Sequence, residues 1–279
     1  MFKKLISIIL IVSLQSVLVA DGYNAGGDFS IDNALNFHGD VNFSQFTALG
    51  AQSVLAGMDF DGDGKKEILF TIDETLPPGG PDPGKLGIYL YEADGSGGYN
   101  HVWHFVTPQP GNSLPGMFHA DIDGDGLHEI YFGVAPAVGH NDATWGTYIF
   151  EQNADSTFPA TATLLYQYGM TSADNFRPAG YEIWDLDGDG TKELCTVDRS
   201  SPGGSRRLSI VAPPSTGFDN LSTFTSEYLD TLDLNGGSLY NLDAVDFDGD
   251  GKYELWVNTW NNFSMTVFEA TGTDAYSVE

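Results

Sequence analysis

Apolar residues in this chain come in short runs separated by stretches rich in Gly, Pro, Asp and Asn, and the same order of runs returns several times. EILFTI, EIYFGV, ELCTVD and ELWVNT form one set, and LGIYLYEA, WGTYIFEQ, RRLSIVAP and NFSMTVFE form a second. A third set, HVWHF, TATLLYQY and TFTSEYL, follows in the first three units, and a fourth, SVLAGMD, PGMFHAD, AGYEIWD and LYNLDAVD, leads into each D-x-D motif. Runs of this length, rich in β-branched and aromatic residues and bounded by turn formers, predict strands. No stretch carries the 3.6-residue periodicity of an amphipathic helix of useful length.

The repeat is fixed by an acidic box. DFDGDGKKEIL starts at Asp59, DIDGDGLHEIY at Asp121, DLDGDGTKELC at Asp185 and DFDGDGKYELW at Asp246. A constant period of about 60 residues with four strand-like runs per unit predicts an all-β repeat fold, a β-propeller of four-stranded blades. About four blades are expected. YEADGSGGYNHV (Tyr91 to Val102) aligns with FEATGTDAYSVE (Phe268 to Glu279), so the sequence is expected to halt at the start of the last repeat's third run. Either residues 22–50 supply closing strands or the chain is a fragment of a larger propeller, and the incomplete last repeat favours the fragment.

Each box reads D-x-D-x-D-G-x-x-E and places side-chain oxygens at positions 1, 3, 5 and 9 of one tight turn. A hard cation such as calcium takes several oxygens at about 2.3–2.6 Å, and such a turn delivers them. The expected ligands are Asp59, Asp61, Asp63 and Glu67 with the Lys65 carbonyl; Asp121, Asp123, Asp125 and Glu129 with that of Leu127; Asp185, Asp187, Asp189 and Glu193 with that of Thr191; and Asp246, Asp248, Asp250 and Glu254 with that of Lys252. Gly62 and Gly64 permit the positive φ that the turn needs. Positions 2 (Phe60, Ile122, Leu186, Phe247) and 10 (Ile68, Ile130, Leu194, Leu255) are always apolar and are expected to anchor the loop to the core. Without an ion the crowded carboxylates would repel one another and hold their protons more tightly. Position 12 is Phe70, Phe132, Thr196 or Val257 rather than Glu, and the flanks are strand-like, which excludes an EF-hand.

Composition sharpens the picture. The 279 residues carry 11 Lys+Arg against 39 Asp+Glu, a net charge of -28, so no cationic surface is expected to grip phosphates and nucleic acid is not an expected partner. The boxes hold sixteen of those acids, and up to four structural calcium ions would offset part of the charge. The single Cys195 rules out an internal disulfide and reads as a core residue. At the amino terminus Lys3 and Lys4 precede an apolar run from Leu5 to Ala20, broken by Ser7, Ser13, Gln15 and Ser16 and shorter than the roughly 20 residues that span a bilayer. Residues 1–20 therefore read as a secretory signal peptide, 21–50 as a lead-in and 51–279 as the repeats, and the mature protein is expected outside the cytoplasm, secreted, periplasmic or at the cell surface, with no membrane span.

The acidic box between two strands, at this period and behind a signal peptide, resembles the FG-GAP/VCBS-type repeats and the calcium loops of integrin α-subunit propellers. The resemblance implies that the box binds calcium in the hairpin between a blade's first two strands. It departs from the family in lacking a Phe-Gly...Gly-Ala-Pro signature before each box, and FGVAP from Phe132 to Pro136 lies after one. Integrin-like ligand recognition does not follow. In such propellers the remaining loops form the opposite face, and here they are long and dissimilar. His140, Asp142, Trp145, Arg177, Arg199 and Trp260 are their best-equipped members for stacking on sugars or gripping a carboxylate.

Catalytic motifs do not emerge. GGPDPGK from Gly79 to Lys85 lacks the Ser/Thr and the following helix of a P-loop, and no GxSxG elbow occurs. His101 and His104, three apart on a predicted strand, are expected on opposite faces, so they would not share an ion. His119 and His128 flank the second box and could meet across its hairpin. The leading expectation is a calcium-binding β-propeller serving as a binding or adhesion module for carbohydrate or a surface protein. The alternatives are a polysaccharide-active or other hydrolytic propeller enzyme and an architectural segment of a large surface protein.

Overall fold

A computed structural model of the chain describes residues 50–73, 84–137, 144–198, 207–213, 224–231, 239–259 and 265–278. The chain divides into two compact units, residues 1–45 and 46–279, and all described residues belong to the second. The expected signal peptide and most of the lead-in lie outside the described residues. Among the described residues, sixteen strands form four antiparallel sheets of four. Sheet 1 is β1 (Gly50–Met58), β2 (Glu67–Asp73), β3 (Leu86–Ala93) and β4 (Tyr99–Val106). Sheet 2 is β5 (Asn112–Ala120), β6 (Glu129–Ala135), β7 (Gly146–Glu151) and β8 (Leu164–Tyr166). Sheet 3 is β9 (Pro178–Trp184), β10 (Glu193–Asp198), β11 (Arg207–Ala212) and β12 (Thr225–Thr231). Sheet 4 is β13 (Leu239–Val245), β14 (Glu254–Thr259), β15 (Met265–Gly272) and β16 (Ala275–Val278).

Each sheet is a simple meander in chain order, so the run before a box is the first strand of the sheet and the run after it is the second. All four predicted sets of runs fall on these strands. In the middle sheets the second strands are apolar without alternation because both their faces are covered, β6 and β10 being buried along their whole length, whereas the third strand of sheet 4, β15, alternates. The outer strands alternate, as β4 does with an exposed or half-exposed residue at most positions.

What covers those faces is the next sheet. One apolar cluster joins Leu69, Ile88, Leu90 and Trp103 of sheet 1 to Ile130, Phe132, Tyr148 and Phe150 of sheet 2. A second joins Tyr131 and Ile149 to Tyr181, Ile183, Leu194 and Val211 of sheet 3, and a third joins Cys195, Val197 and Ile210 to Leu242, Leu255, Val257 and Phe268 of sheet 4. The core is thus a series of inter-sheet layers rather than one centre, as in repeat folds. The first strands β5 and β9 approach so closely that a Cβ on Gly116 would collide with the Ala179 carbonyl.

Position 2 of the first three boxes points into the layer shared with the following sheet: Phe60, Ile122 and Leu186 are 8%, 3% and 1% exposed. Position 10 faces the preceding sheet in boxes two to four, through Ile130, Leu194 and Leu255. The expectation that position 2 always anchors the loop fails in the fourth box. Phe247 is 73% exposed, since no described sheet follows sheet 4 to cover it.

Candidate metal sites

Every box is the hairpin between the first and second strands of its sheet, and its geometry is set by the acids' own bonds to the backbone. The position-3 carboxylate accepts the N–H of position 5 at 3.0–3.2 Å (Asp61, Asp123, Asp187, Asp248). The position-5 carboxylate accepts the N–H of position 7 at 2.7–2.9 Å (Asp63, Asp125, Asp189, Asp250). The position-1 carboxylate accepts the N–H of the second Gly at 3.0–3.3 Å (Asp59, Asp121, Asp185, Asp246). Both glycines take left-handed φ, as at Gly62 (+72°) and Gly64 (+87°), which side chains rarely adopt.

The position-9 glutamates close the loop from below. Glu67, Glu129, Glu193 and Glu254 are all buried, and in each Oε2 accepts the N–H of position 2, at 3.0, 2.9, 2.7 and 2.6 Å. Tyr131 adds an O–H bond to Glu129 Oε2 at 3.3 Å. Glu129 Oε1 and Asp185 Oδ1, by contrast, are buried without a hydrogen-bond partner. Burial, reinforced by the neighbouring acids, pushes the Glu129 and Glu193 carboxyls up to about 9 and raises Glu67.

In boxes two, three and four, one carboxylate oxygen from each of positions 1, 3, 5 and 9 lies within 4.8 Å of all the others. Oxygens bound to one calcium ion can be at most about 4.8 Å apart, twice a 2.4 Å bond. The first box differs. Asp59, Asp61 and Glu67 converge, but the Asp63 carboxylate is drawn 2.5 Å from Lys65 Nζ, which also holds Glu92 at 2.9 Å. Lys252 sits similarly in the fourth box but farther off, 3.7 Å from Asp250 and 3.0 Å from Glu269. A buried glutamate with an unpartnered oxygen, gathered with three aspartates in one turn, is a donor set that could hold a divalent cation.

The boxes are also linked to one another, which sequence reasoning missed. Position 8 of each box touches the box before it: the His128 ring meets Phe60 edge-on at 5.4 Å, Lys192 Nζ donates to the Asp121 carbonyl, and the Tyr253 N–H donates to the Leu186 carbonyl at 3.4 Å. Gln152 Nε2 adds a 2.7 Å bond to the Phe60 carbonyl. Position 8 varies from Lys to His to Tyr, so no residue-type signal marked it.

Other candidates fared unevenly. Trp145 is fully buried against Tyr168 and Phe176, a core residue rather than a ligand platform. Arg177 is held locally, with Nε donating to Asn175 Oδ1 at 3.0 Å and its N–H to Asp198 Oδ1 at 2.9 Å. His140, Asp142, Arg199 and Trp260 lie outside the described residues. His119 and His128 do meet, with ring centroids 5.8 Å apart. His101 and His104 contradict the expectation of opposite faces: their ring nitrogens are 3.0 Å apart, because β4 is bulged between them.

The fold and boxes define an all-β repeat protein with acidic hairpins at the sheet junctions. Residues 59–132, spanning the first box to the middle of the second sheet's second strand, match the FG-GAP-like repeat. No curated protein sequence matches the chain. Among solved structures, the V. cholerae biofilm matrix protein Bap1 is similar, with 18% identity and a TM-score of 0.40 over 82% of this chain and 39% of that one. Among the described residues, no helix is long and apolar enough to cross a membrane.

Proposed function

We propose that the chain is a calcium-stabilised stack of propeller blades that acts outside the cytoplasm as a binding module of the adhesion type. The observation that carries the calcium reading is the second box, where Glu129 is buried with Oε1 unpartnered and one of its carboxylate oxygens lies within 4.8 Å of one from each of Asp121, Asp123 and Asp125. The ligand set proposed for each box is positions 1, 3, 5 and 9 with the position-7 carbonyl. In the first box the set forms once Asp63 swings away from Lys65. Calcium is structural in this reading: it neutralises acids that the stacking of the sheets forces into low-dielectric surroundings.

The propeller reading rests on the stacking of consecutive sheets and assigns the uncovered face of sheet 4, with Phe247 and Met265, to another sheet of the same kind. The recognition surface is assigned to the loops at the end opposite the boxes, with carbohydrate or a surface protein as partner. Two measurements test the function. Calorimetric titration of chelated protein should show calcium uptake by the boxes, with uptake reduced in Glu129→Gln and Glu193→Gln. Glycan-array binding in calcium should then be lost in loop variants that retain the melting temperature; no glycan or surface-protein binding would leave only the architectural role.

A further inference from the structure

The third strand of sheet 1 presents an aromatic wall, Tyr89 and Tyr91, on the side away from sheet 2, and both rings are buried. Across from them runs β4. In a regular strand, residues i and i+3 point to opposite faces. Here Leu90 pairs with Trp103 but Tyr91 pairs with His101, so one extra residue, Val102, is looped out and is 49% exposed. The bulge turns His101 back to the face of His104.

The result is a specific geometry. His101 Nε2 and His104 Nδ1 face each other at 3.0 Å, with ring centroids 4.9 Å apart. Tyr89 lies flat on His104, centroids 5.0 Å apart and planes at 5°, and Tyr91 meets His101 edge-on at 5.3 Å. The wall fixes both ring planes, while both imidazoles keep partial exposure to solvent. Two nitrogen ligands at about 2.0–2.1 Å from one ion, subtending a right to tetrahedral angle, stand roughly 2.9–3.4 Å apart. The observed separation falls in that interval.

We propose that His101 Nε2 and His104 Nδ1 form a binding site for a borderline divalent transition metal such as zinc, distinct from the acidic boxes. Binding requires both imidazoles neutral, with the His101 proton on Nδ1 and the His104 proton on Nε2; the proton shared between the facing nitrogens moves to the far nitrogen of its own ring, so two metal bonds replace the hydrogen bond without net proton loss. Burial lowers the proton affinity of His104, which keeps it in the ligand form at neutral pH. Among the described residues no third histidine, cysteine or carboxylate completes a metal-binding group with the pair. An all-nitrogen protein donor set suits zinc or copper and is wrong for calcium, which takes oxygen. The site therefore does not compete with the boxes for their ion.

Zinc titrated into the full chain in saturating calcium tests this by calorimetry and by ring ¹⁵N resonances. We expect one zinc equivalent that shifts His101 Nε2 and His104 Nδ1, and whose affinity falls at least about tenfold in His101→Gln and in His104→Gln. The proposal is overturned if wild type shows no such shift, or if both variants bind zinc as wild type does. Should either variant fail to fold, the ¹⁵N shifts of the unaltered protein decide alone.

Discussion

Glu129→Gln isolates what the buried carboxylate does. The amide keeps an oxygen to accept the Ile122 N–H (2.9 Å in the native hairpin) and the Tyr131 O–H, and puts an NH₂ where Oε1 has no partner. In chelator at pH 7.5 the native carboxyl, with its pKa pushed from 4.5 to about 9, must be neutralised or endure burial charged. Three pH units at about 1.4 kcal/mol each set an upper bound of about 4 kcal/mol for this penalty, which the variant escapes. Glu129→Gln should therefore melt several degrees higher than wild type without calcium. With calcium the sign of the change in response reverses. A site with a dissociation constant on the order of 10⁻⁴ to 10⁻³ M contributes about 1.4–2.7 kcal/mol at roughly 10 mM calcium. The variant should lose that part of the calcium-induced gain, about 3–11 °C for a domain of this size. Thermal unfolding followed by circular dichroism in chelator and in calcium reads both numbers. A variant destabilised in chelator, or one whose gain with calcium equals that of wild type, would refute the argument. Asp187→Ala is a poorer probe, because Asp187 Oδ2 also accepts the Asp274 N–H from the neighbouring sheet at 2.7 Å.

The same burial gives a pH dependence. Since the folded pKa of Glu129 and Glu193 lies above the unfolded value, their contribution is intact below about pH 4.5 and is lost as pH rises through about 9. In chelator, stability should fall across that window by up to about 1.4 kcal/mol per pH unit per site, and calcium should flatten the slope; a flat profile in chelator would count against it. Phe60→Ala should lower stability by about 3–5 kcal/mol, whereas Phe247→Ala, at 73% exposure, should change it by less than about 0.5 kcal/mol in the chain as described. Equal losses in urea melts would mean that sheet 4 is covered in solution. Lys65→Ala releases Asp63 from its ion pair and should tighten calcium binding at the first box, measured by titration with the other boxes disabled; weaker binding would show the lysine to be a partner rather than a competitor.

Much of this fold is written in the chain at the level of single runs. The inner strands of sheets 2 and 3 show as apolar segments because a neighbouring sheet covers each face, and the boxes show as hairpins because their acids and glycines are needed by the turn itself. Features that depend on register or on neighbours are not written there. The bulge at Val102 moves one histidine across the sheet without any Gly or Pro to announce it, and a one-residue slip inverts every facing assignment beyond it. Trp145 looks like a loop aromatic until its packing against Phe176 is seen. Phe247 is identical in type and position to Phe60, yet one is exposed and the other buried, because burial is decided by the sheet that follows.

That last contrast explains how so acidic a chain stacks. Within one box, position 2 reaches forward into the layer shared with the next sheet, position 10 reaches back in boxes two to four, and position 8 touches the preceding box. The hairpin that gathers the carboxylates is therefore the same hairpin that joins two sheets. Packing the sheets buries Glu67, Glu129 and Glu193, and this raises the free energy of their charged forms. A divalent ion at the box would remove that obstacle at the point where the layers meet. Under the calcium reading, occupancy and stacking are then one linked equilibrium: tighter packing strengthens the cage, and a filled cage favours packing. Because each box also touches its predecessor, filling one should raise the affinity of its neighbour, so calcium should be taken up with a Hill coefficient above one. Strictly independent uptake at the four boxes would break the link between charge and architecture.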